Sequence, residues 1–294
     1  LTNDRKIEVF GEVLFDVFPD NQRVLGGAPF NVAWHLQAFG QNPLFVSRIG
    51  RDADGEAVRT AMMQWGMDTT EVQSDPARPT GRVAIHLEDG QPTYDILSDQ
   101  AYDAISPSEI QNPECAFLYH GTLALRSAQS RRALERLKSA GDCKVFMDVN
   151  LRDPWWSLED VLHLADDAHW VKLNEDELGY LAPGSADLVP KARSYLRAHR
   201  LRGIIVTRGA RGAFALTDDG SFAEVEPSAA THIADTVGAG DAFAAVMITG
   251  ILQEWPLAEM LQRAQLFASL IVGQRGAIVS DRALYESFVN DWNF

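Results

Sequence analysis

The feature that most constrains this chain is a series of short, unbroken apolar runs separated by longer stretches with helical spacing. Ile7–Phe10, Leu44–Ile49, Ala116–Tyr119, Val145–Met147, His169–Leu173 and Gly203–Thr207 are such runs. They are mostly continuous rather than alternating, so they read as strands buried on both faces. Between them, Pro29–Phe39 is apolar at Phe30, Ala33, Trp34 and Ala38 and stops at Gly40. Gly55–Trp65 stops at Gly66, Ala128–Ala140 stops at Gly141, and Ala186–His199 follows the same plan. This alternation predicts an α/β fold, a mostly parallel sheet with helices on both faces. Two segments break the pattern. Val13–Val24 and Thr80–Leu97 read as strands with polar turns, and Asp89-Gly90 is a hairpin signal. Two hairpins distant in sequence are expected to pair into a small sheet, a lid built from about residues 13–25 and 80–97. No internal repeat or low-complexity linker interrupts the chain, so residues 1–294 are expected to form one catalytic unit.

Composition narrows the partners. The chain has 294 residues, 46% of them hydrophobic, which is enough for a large core. A net charge of -15 repels nucleic acid and anionic lipid, so neither is an expected partner. The two cysteines, Cys115 and Cys143, show neither metal-ligand spacing nor a disulfide framework, which fits a reducing compartment. Asp4, Arg5, Lys6 and Glu8 interrupt any apolar run near the start, so no signal peptide is expected. No stretch approaches the ~20 apolar residues of a membrane span. A cytoplasmic protein acting on a small molecule is expected.

Ligands in open α/β sheets bind beyond the carboxyl ends of the strands. Polar residues collect there in strand after strand: Glu12 and Asp16; Asp148, Asn150 and Arg152; Asn174 and Glu177; Thr207, Arg208, Gly209 and Gly212. Asp235-Thr236-Val237-Gly238-Ala239-Gly240-Asp241 runs directly into the apolar segment Ala242–Ile248. Gly238 and Gly240 leave backbone N–H groups open at a helix N-terminus, where anions are attracted. Asp241 in the first turn suits a base that takes a proton from a hydroxyl while the amides stabilise charge. Alone, such a turn fits a helix cap equally well. It is not the dinucleotide fingerprint, because Phe243 stands where the third glycine belongs, and no phosphate loop ending in Gly-Lys-Ser/Thr occurs. Gly26-Gly27-Ala28-Pro29-Phe30-Asn31 is a second glycine-rich helix start, with Pro29 suited to the first turn. In isolation it reads as a turn plus a helix.

In this order and at this separation, the two glycine-rich segments resemble the PfkB/ribokinase-like carbohydrate kinase family over nearly the whole chain. Asn174-Glu175-Asp176-Glu177 matches the family's Asn-x-x-Glu element, and Thr207-Arg208-Gly209-Ala210-Arg211-Gly212 resembles its nucleotide-side turn. The resemblance implies a ribokinase-like three-layer α/β/α core with a small β-sheet lid, ATP with Mg2+, and γ-phosphoryl transfer to a sugar hydroxyl. Carried over, Asp241 is the base, and the Gly238, Ala239 and Gly240 amides form an anion hole. Asn174 and Glu177 organise Mg2+ through water, although Asn-x-x-Glu is also a capping box. Thr207, Gly209 and Gly212 line the nucleotide with Asn174, while Asp16, Gly27 and Asn31 hold sugar hydroxyls. A monovalent cation such as K+ is implied at Asp235 and the Val237 carbonyl, opposite the loop from Gly276 to Ser280. Gln265 stands where many members have Asn, which leaves the adenine contact open. The apolar outer face of a lid suggests a homodimer.

Gly11-Glu12-Val13-Leu14-Phe15-Asp16 matches the first strand of fructokinase-like members. Ribose kinases carry Asn where this chain has Leu14. Asp148-Val149-Asn150-Leu151-Arg152 resembles a stretch shared by fructokinases and 2-keto-3-deoxygluconate kinases, with Arg152 reaching substrate or pairing with Asp148 or Asp153. Acid-sugar kinases add a lid arginine that Tyr94-Asp95-Ile96 lacks. Losing such a charge-assisted bond costs ~1.5–3 kcal/mol, so a neutral ketohexose, D-fructose, is favoured provided Arg82 does not point inward. The alternatives are a 2-keto-3-deoxygluconate kinase, a ribose or nucleoside kinase using Phe15, Trp34 and Tyr102, and a sugar-binding protein without catalysis. His35, His86 and His120 read as core or lid residues.

Overall fold

The structure is a computed structural model that describes residues 6–88, 91–182, 184, 187–227, 237–273 and 276–294. The Asp89-Gly90 tip and Asp235 lie outside the described residues. The chain divides into two compact units, Leu1–Ala116 with Ala124–Cys143, and Phe117–Leu123 with Lys144–Phe294.

The first unit holds strands β1 (Ile7–Phe10), β2 (Leu14–Val17), β3 (Arg23–Gly26), β4 (Leu44–Gly50), β5 (Val72–Asp75), β6 (Gly81–Glu88) and β7 (Gln91–Ile96). Its α-helices are α1 (Ala28–Ala38), α2 (Ala53–Trp65) and α3 (Ala128–Lys138). Strands β1, β4 and β5 pair in parallel in that order, as continuous apolar runs should when helices cover them. Helix α1 packs on β1 and β4, and α2 packs on β4. The two helices are joined by Trp34 and Trp65, whose rings stack 4.5 Å apart, and the Trp65 indole N–H donates to the Trp34 carbonyl at 3.0 Å.

The two distant hairpin segments form one four-stranded sheet in the order β3-β2-β6-β7. Strand β2 runs antiparallel to β3 and parallel to β6, which runs antiparallel to β7. Asp54, in the first turn of α2, anchors this sheet. Its buried carboxylate takes Arg23 of β3 and Arg82 of β6, the latter through Nε at 2.9 Å.

A disulfide joins Cys115 to Cys143, with Cα atoms 5.3 Å apart. The sequence suggested two isolated cysteines, and that expectation is corrected here. The separation of 28 residues carries no disulfide signature. Both cysteines sit just ahead of Phe117 and Lys144, which are partners in a parallel strand pair.

The second unit holds β8 (Phe117–His120), β9 (Lys144–Asp148), β10 (Trp170–Asn174), β11 (Gly203–Thr207), β12 (Ala213–Thr217) and β13 (Phe222–Val225), in the order β13-β12-β11-β10-β9-β8. Strands β8 to β11 are parallel, while β12 and β13 are antiparallel additions to the strands expected from sequence. The turn after β11 is too short for a crossover helix, so β12 can only fold back. Helices α4 (Leu158–Asp166), α5 (Glu175–Leu181), α6 (Leu188–Ala198), α7 (Ala239–Leu252), α8 (Leu257–Val272) and α9 (Arg282–Trp292) complete the unit. Helix α7 is apolar all round and buried from Ala242 to Gly250, the mark of a helix enclosed by protein. Helix α8 packs on α7 and on β12 and β13. Among the described residues, no helix is long and apolar enough to cross a membrane.

Glu8 in β1 is fully buried, and among the described residues neither carboxylate oxygen has a hydrogen-bond partner. Burial first, then the nearby Glu71 carboxylate, pushes its pKa from 4.5 up to about 8. Between those values the folded state keeps a proton that the unfolded chain releases. Glu8 therefore stabilises the fold fully at low pH, and that contribution fades by about 1 kcal/mol per pH unit as pH rises toward 8. The neutral variant Glu8→Gln should escape this loss. Urea unfolding at pH 5 to 8 should show the variant gaining on the wild type as pH rises, and a pH-independent difference would refute the account.

Candidate active site

The second unit gathers its polar residues where β9, β10 and β11 end. Parallel register sets Lys172 of β10 opposite Asp148 of β9. The Lys172 ammonium lies 2.9 and 2.8 Å from the two Asp148 oxygens, and both residues are buried. Tyr119 of β8 adds a hydroxyl donor to Asp148 Oδ2 at 3.3 Å. Burial works against the Lys172 charge. The Asp148 carboxylate outweighs it and, with Asp241 and Glu177, holds the ammonium above the ordinary lysine pKa. Sequence reasoning missed Lys172. The available signal was a lone charge in the run Val171-Lys172-Leu173, which a buried strand tolerates only with a partner.

Asn174 ends β10 and caps α5. Its Oδ1 accepts from the Glu177 amide at 2.9 Å, and Glu177 Oε2 accepts from the Asn174 amide at 2.8 Å. Glu177 Oε1 accepts from Leu151 N–H at 2.8 Å. The capping box is therefore real. Glu177 is buried, and burial raises its pKa despite those amides.

Helix α7 begins at two glycines with different reasons to be glycine. Gly238 is the N-cap with φ of 82°, and a Cβ there would lie 2.4 Å from the Ala277 side chain. That conformation and that contact both exclude a side chain. Gly240 has no such demand. Among the described residues, a Cβ there would meet only the Lys172 ammonium, at an ordinary 3.6 Å. The bare Gly240 thus leaves the first turn open beside a buried cation. Asp241 is the third residue of α7, and its carboxylate acts on the same ammonium. The close approach of Ala277 brings the loop from residue 276 to 280 against this turn. Val237 is exposed.

On the nucleotide side, Thr207 ends β11 and is half-buried. Gly209 has φ of 56° with open space around it. Gly212 has φ of 80°, and a Cβ there would overlap the Val225 carbonyl, so its glycine serves the β12–β13 approach. Gln265 of α8 donates to Ser269 Oγ at 3.1 Å. Arg152 is exposed and forms no ion pair among the described residues; Lys172 engages Asp148, and Asp153 accepts from the Trp156 indole at 2.8 Å. The expected pairing of Arg152 with either aspartate is therefore corrected.

Of the three expected sugar-side residues, the first unit brings Gly27 and Asn31 together, while Asp16 stands opposite Val24 in the β2–β3 pair. Asp16 lies in β2, Gly27 caps α1, and Asn31 is buried one turn later, its amide on the Gly27 carbonyl at 2.8 Å. Gly27 has φ of 110°, and a Cβ would lie 2.8 Å from the Glu12 carbonyl oxygen. Phe15, Trp34 and Tyr102 are all buried in the core, and Tyr102 accepts from Arg126 at 3.1 Å. Arg82 is committed to Asp54.

Parallel strands whose carboxyl ends gather carboxylates, a lysine and an open helix turn define an α/β protein with a polar cluster at the edge of its sheet. The chain matches the pfkB family carbohydrate kinases over residues 4–283. It is 31% identical to a fructokinase of Klebsiella pneumoniae, covering 94% of this chain and 95% of the relative. Among solved structures, a fructokinase with bound ATP from Xylella fastidiosa superposes with a TM-score of 0.84, covering 98% of this chain and 99% of that one at 22% identity. A Vibrio cholerae fructokinase in its fructose, ADP and calcium ion bound form gives 0.83, covering 97% and 98% at 23% identity. The chain belongs to the pfkB carbohydrate kinase family. It is a sugar phosphotransferase with the ribokinase-like α/β fold.

The two glycines give separable outcomes. Gly238→Ala should cost about 1–3 kcal/mol of stability through its positive φ alone. Gly240→Ala should leave the melting temperature unchanged or slightly higher, since alanine is the better helix residue, yet lower phosphorylation by crowding the open turn. Paired melting curves and ADP-release rates check this, and a fully active Gly240→Ala enzyme would contradict it.

Proposed function

We propose that this enzyme is an ATP-dependent fructokinase whose base is Asp241. The observation that carries the reading is the α7 turn, where Asp241, the bare Gly240 and the buried Lys172 ammonium stand together. Asp241 takes the proton of a sugar hydroxyl as that oxygen bonds to the γ-phosphorus. The bond from that phosphorus to the β–γ bridging oxygen breaks, and ADP leaves with its electron pair. The Gly238, Ala239 and Gly240 amides stabilise charge on the transferring group. Thr207, Gly209 and Gly212 line the nucleotide, with Gln265 at its adenine end. Asp16, Gly27 and Asn31 hold sugar hydroxyls.

Mg2+ would be held through water by Asn174 and Glu177. The fit is sound, because each Glu177 oxygen accepts one amide and keeps a lone pair for water. Bound there with ATP, the ion would neutralise phosphate charge. A monovalent cation such as K+ is proposed at the Val237 carbonyl beside the loop from residue 276 to 280. The need for ATP fits a cytoplasmic location.

Fructose is favoured by what surrounds the sugar residues. Arg82, the one cation of the small sheet that an acid-sugar reading would call on, is tied to Asp54. The aromatic trio that a second base would need is core. Leu14, buried in β2, offers no amide to a ribose.

Asp241→Asn should fold and bind sugar but lose about 10²–10⁴-fold in turnover, the range of a positioned base; near-normal kcat would sink the assignment. In a coupled ADP-release assay, kcat/KM should be highest for fructose among fructose, ribose, 2-keto-3-deoxygluconate, tagatose and adenosine. A better result with any other of these acceptors would refute the substrate.

A further inference from the structure

We propose that Lys172, held by Asp148, is a positioning residue for the phosphoryl-transfer step, a fixed cation that orients the Asp241 carboxylate beneath the first turn of α7. The inference rests on the reading of Asp241 as base and extends it to a residue in the strand below.

The geometry argues for more than a structural ion pair. A pair that served packing alone has no reason to face a helix N-terminus, yet the ammonium lies 3.6 Å from where a Gly240 Cβ would stand. Two hydrogen bonds to Asp148 fix the nitrogen from below, and the Tyr119 hydroxyl fixes Asp148 in turn. Asp148 of β9 is bonded to the cation, Asp241 follows Gly240 in the turn that the ammonium faces, and Glu177 of α5 caps the end of the lysine's own strand, so three carboxylates from three elements share its field. One ammonium cannot neutralise three carboxylates. Asp148 holds the nitrogen in place, and the remaining field falls on Asp241 at the open turn. The lysine keeps its protons throughout, while the hydroxyl proton passes to Asp241.

Removing Lys172 alone would strand Asp148 as a buried, unpaired charge, so the test uses the neutral pair Lys172→Met with Asp148→Asn. That double variant should melt like the wild type and keep KM for fructose and ATP within about threefold. Its kcat should fall by about 10²-fold, the scale seen when one preorganised electrostatic group is lost. Lys172→Arg, which keeps the charge, should retain kcat within about tenfold of the wild type. Added to Asp241→Asn, the neutral pair should cost little more, because both changes break one unit. A kcat within threefold of wild type in the neutral pair would overturn the proposal. So would parallel losses of stability, KM and kcat, which mark a structural pair. If Asp241→Asn itself stays active, the base assignment fails first; if only the neutral pair stays active, the role of Lys172 fails alone.

Discussion

An ammonium and a carboxylate buried together in a parallel sheet cost several kcal/mol each in lost hydration, and only near-ideal geometry offsets that. In this chain the strand register supplies the geometry. Lys172 and Asp148 are Cα partners of neighbouring strands, so their side chains emerge on the same face and meet without searching. The consequences spread outward. Asp148 has both oxygens on the lysine and one on Tyr119, so it is unavailable to Arg152. The field of the ammonium reaches Glu177, which must also cap α5, and Asp241, which opens α7. The ends of β9 and β10 and the starts of α5 and α7 thus share one electrostatic arrangement.

Glycine separates positions where packing excludes a side chain from positions with open space among the described residues. At Gly27, Gly212 and Gly238 a side chain would collide with a backbone carbonyl or a neighbouring side chain, and the positive φ forbids it independently. These three shape the chain. Gly209 has a positive φ but open surroundings, and Gly240 has neither a positive φ nor a clash. An anionic group can approach backbone N–H donors there as it could not past a methyl. Motif matching treats Gly238 and Gly240 as equals, whereas the structure gives them different work.

The fold was largely legible because its strands are apolar runs that periodicity detects directly. Ile7–Phe10 and Gly203–Thr207 are strands at their predicted limits, and the others differ by one or two residues. What remained hidden depended on register. The Cys115–Cys143 bond follows from two strands starting side by side, which no residue spacing encodes. Lys172 was visible as a charge in an apolar strand, but its partner could not be named until β9 and β10 were aligned. Strands β12 and β13 were missed because a five-residue turn and two short runs look like loop. The capping box at Asn174 and Glu177 was read correctly as local chemistry, since caps are contiguous in sequence. The proposed sugar and nucleotide residues were chosen by motif, and motifs name positions without saying which of them are forced by packing.

The proposed preference for a neutral sugar turns on a residue taken out of consideration rather than one put in. Arg82 sits in the small sheet, and from sequence alone it was the group able to greet a sugar carboxylate. Asp54 is almost completely buried and needs cations; Arg23 and Arg82 both answer. Withdrawing Arg82 would leave the buried Asp54 carboxylate with Arg23 as its cation; the Arg82 guanidinium is itself half-exposed, so solvent screening keeps that cost modest. A ligand carboxylate would have to outbid Asp54 for the same guanidinium while also shedding its own water. A neutral sugar faces no such contest, since it brings no carboxylate. The same buried carboxylate that anchors the small sheet to α2 therefore also weighs against acid sugars. On the proposed reading, a residue placed for the fold bears on specificity by what it occupies.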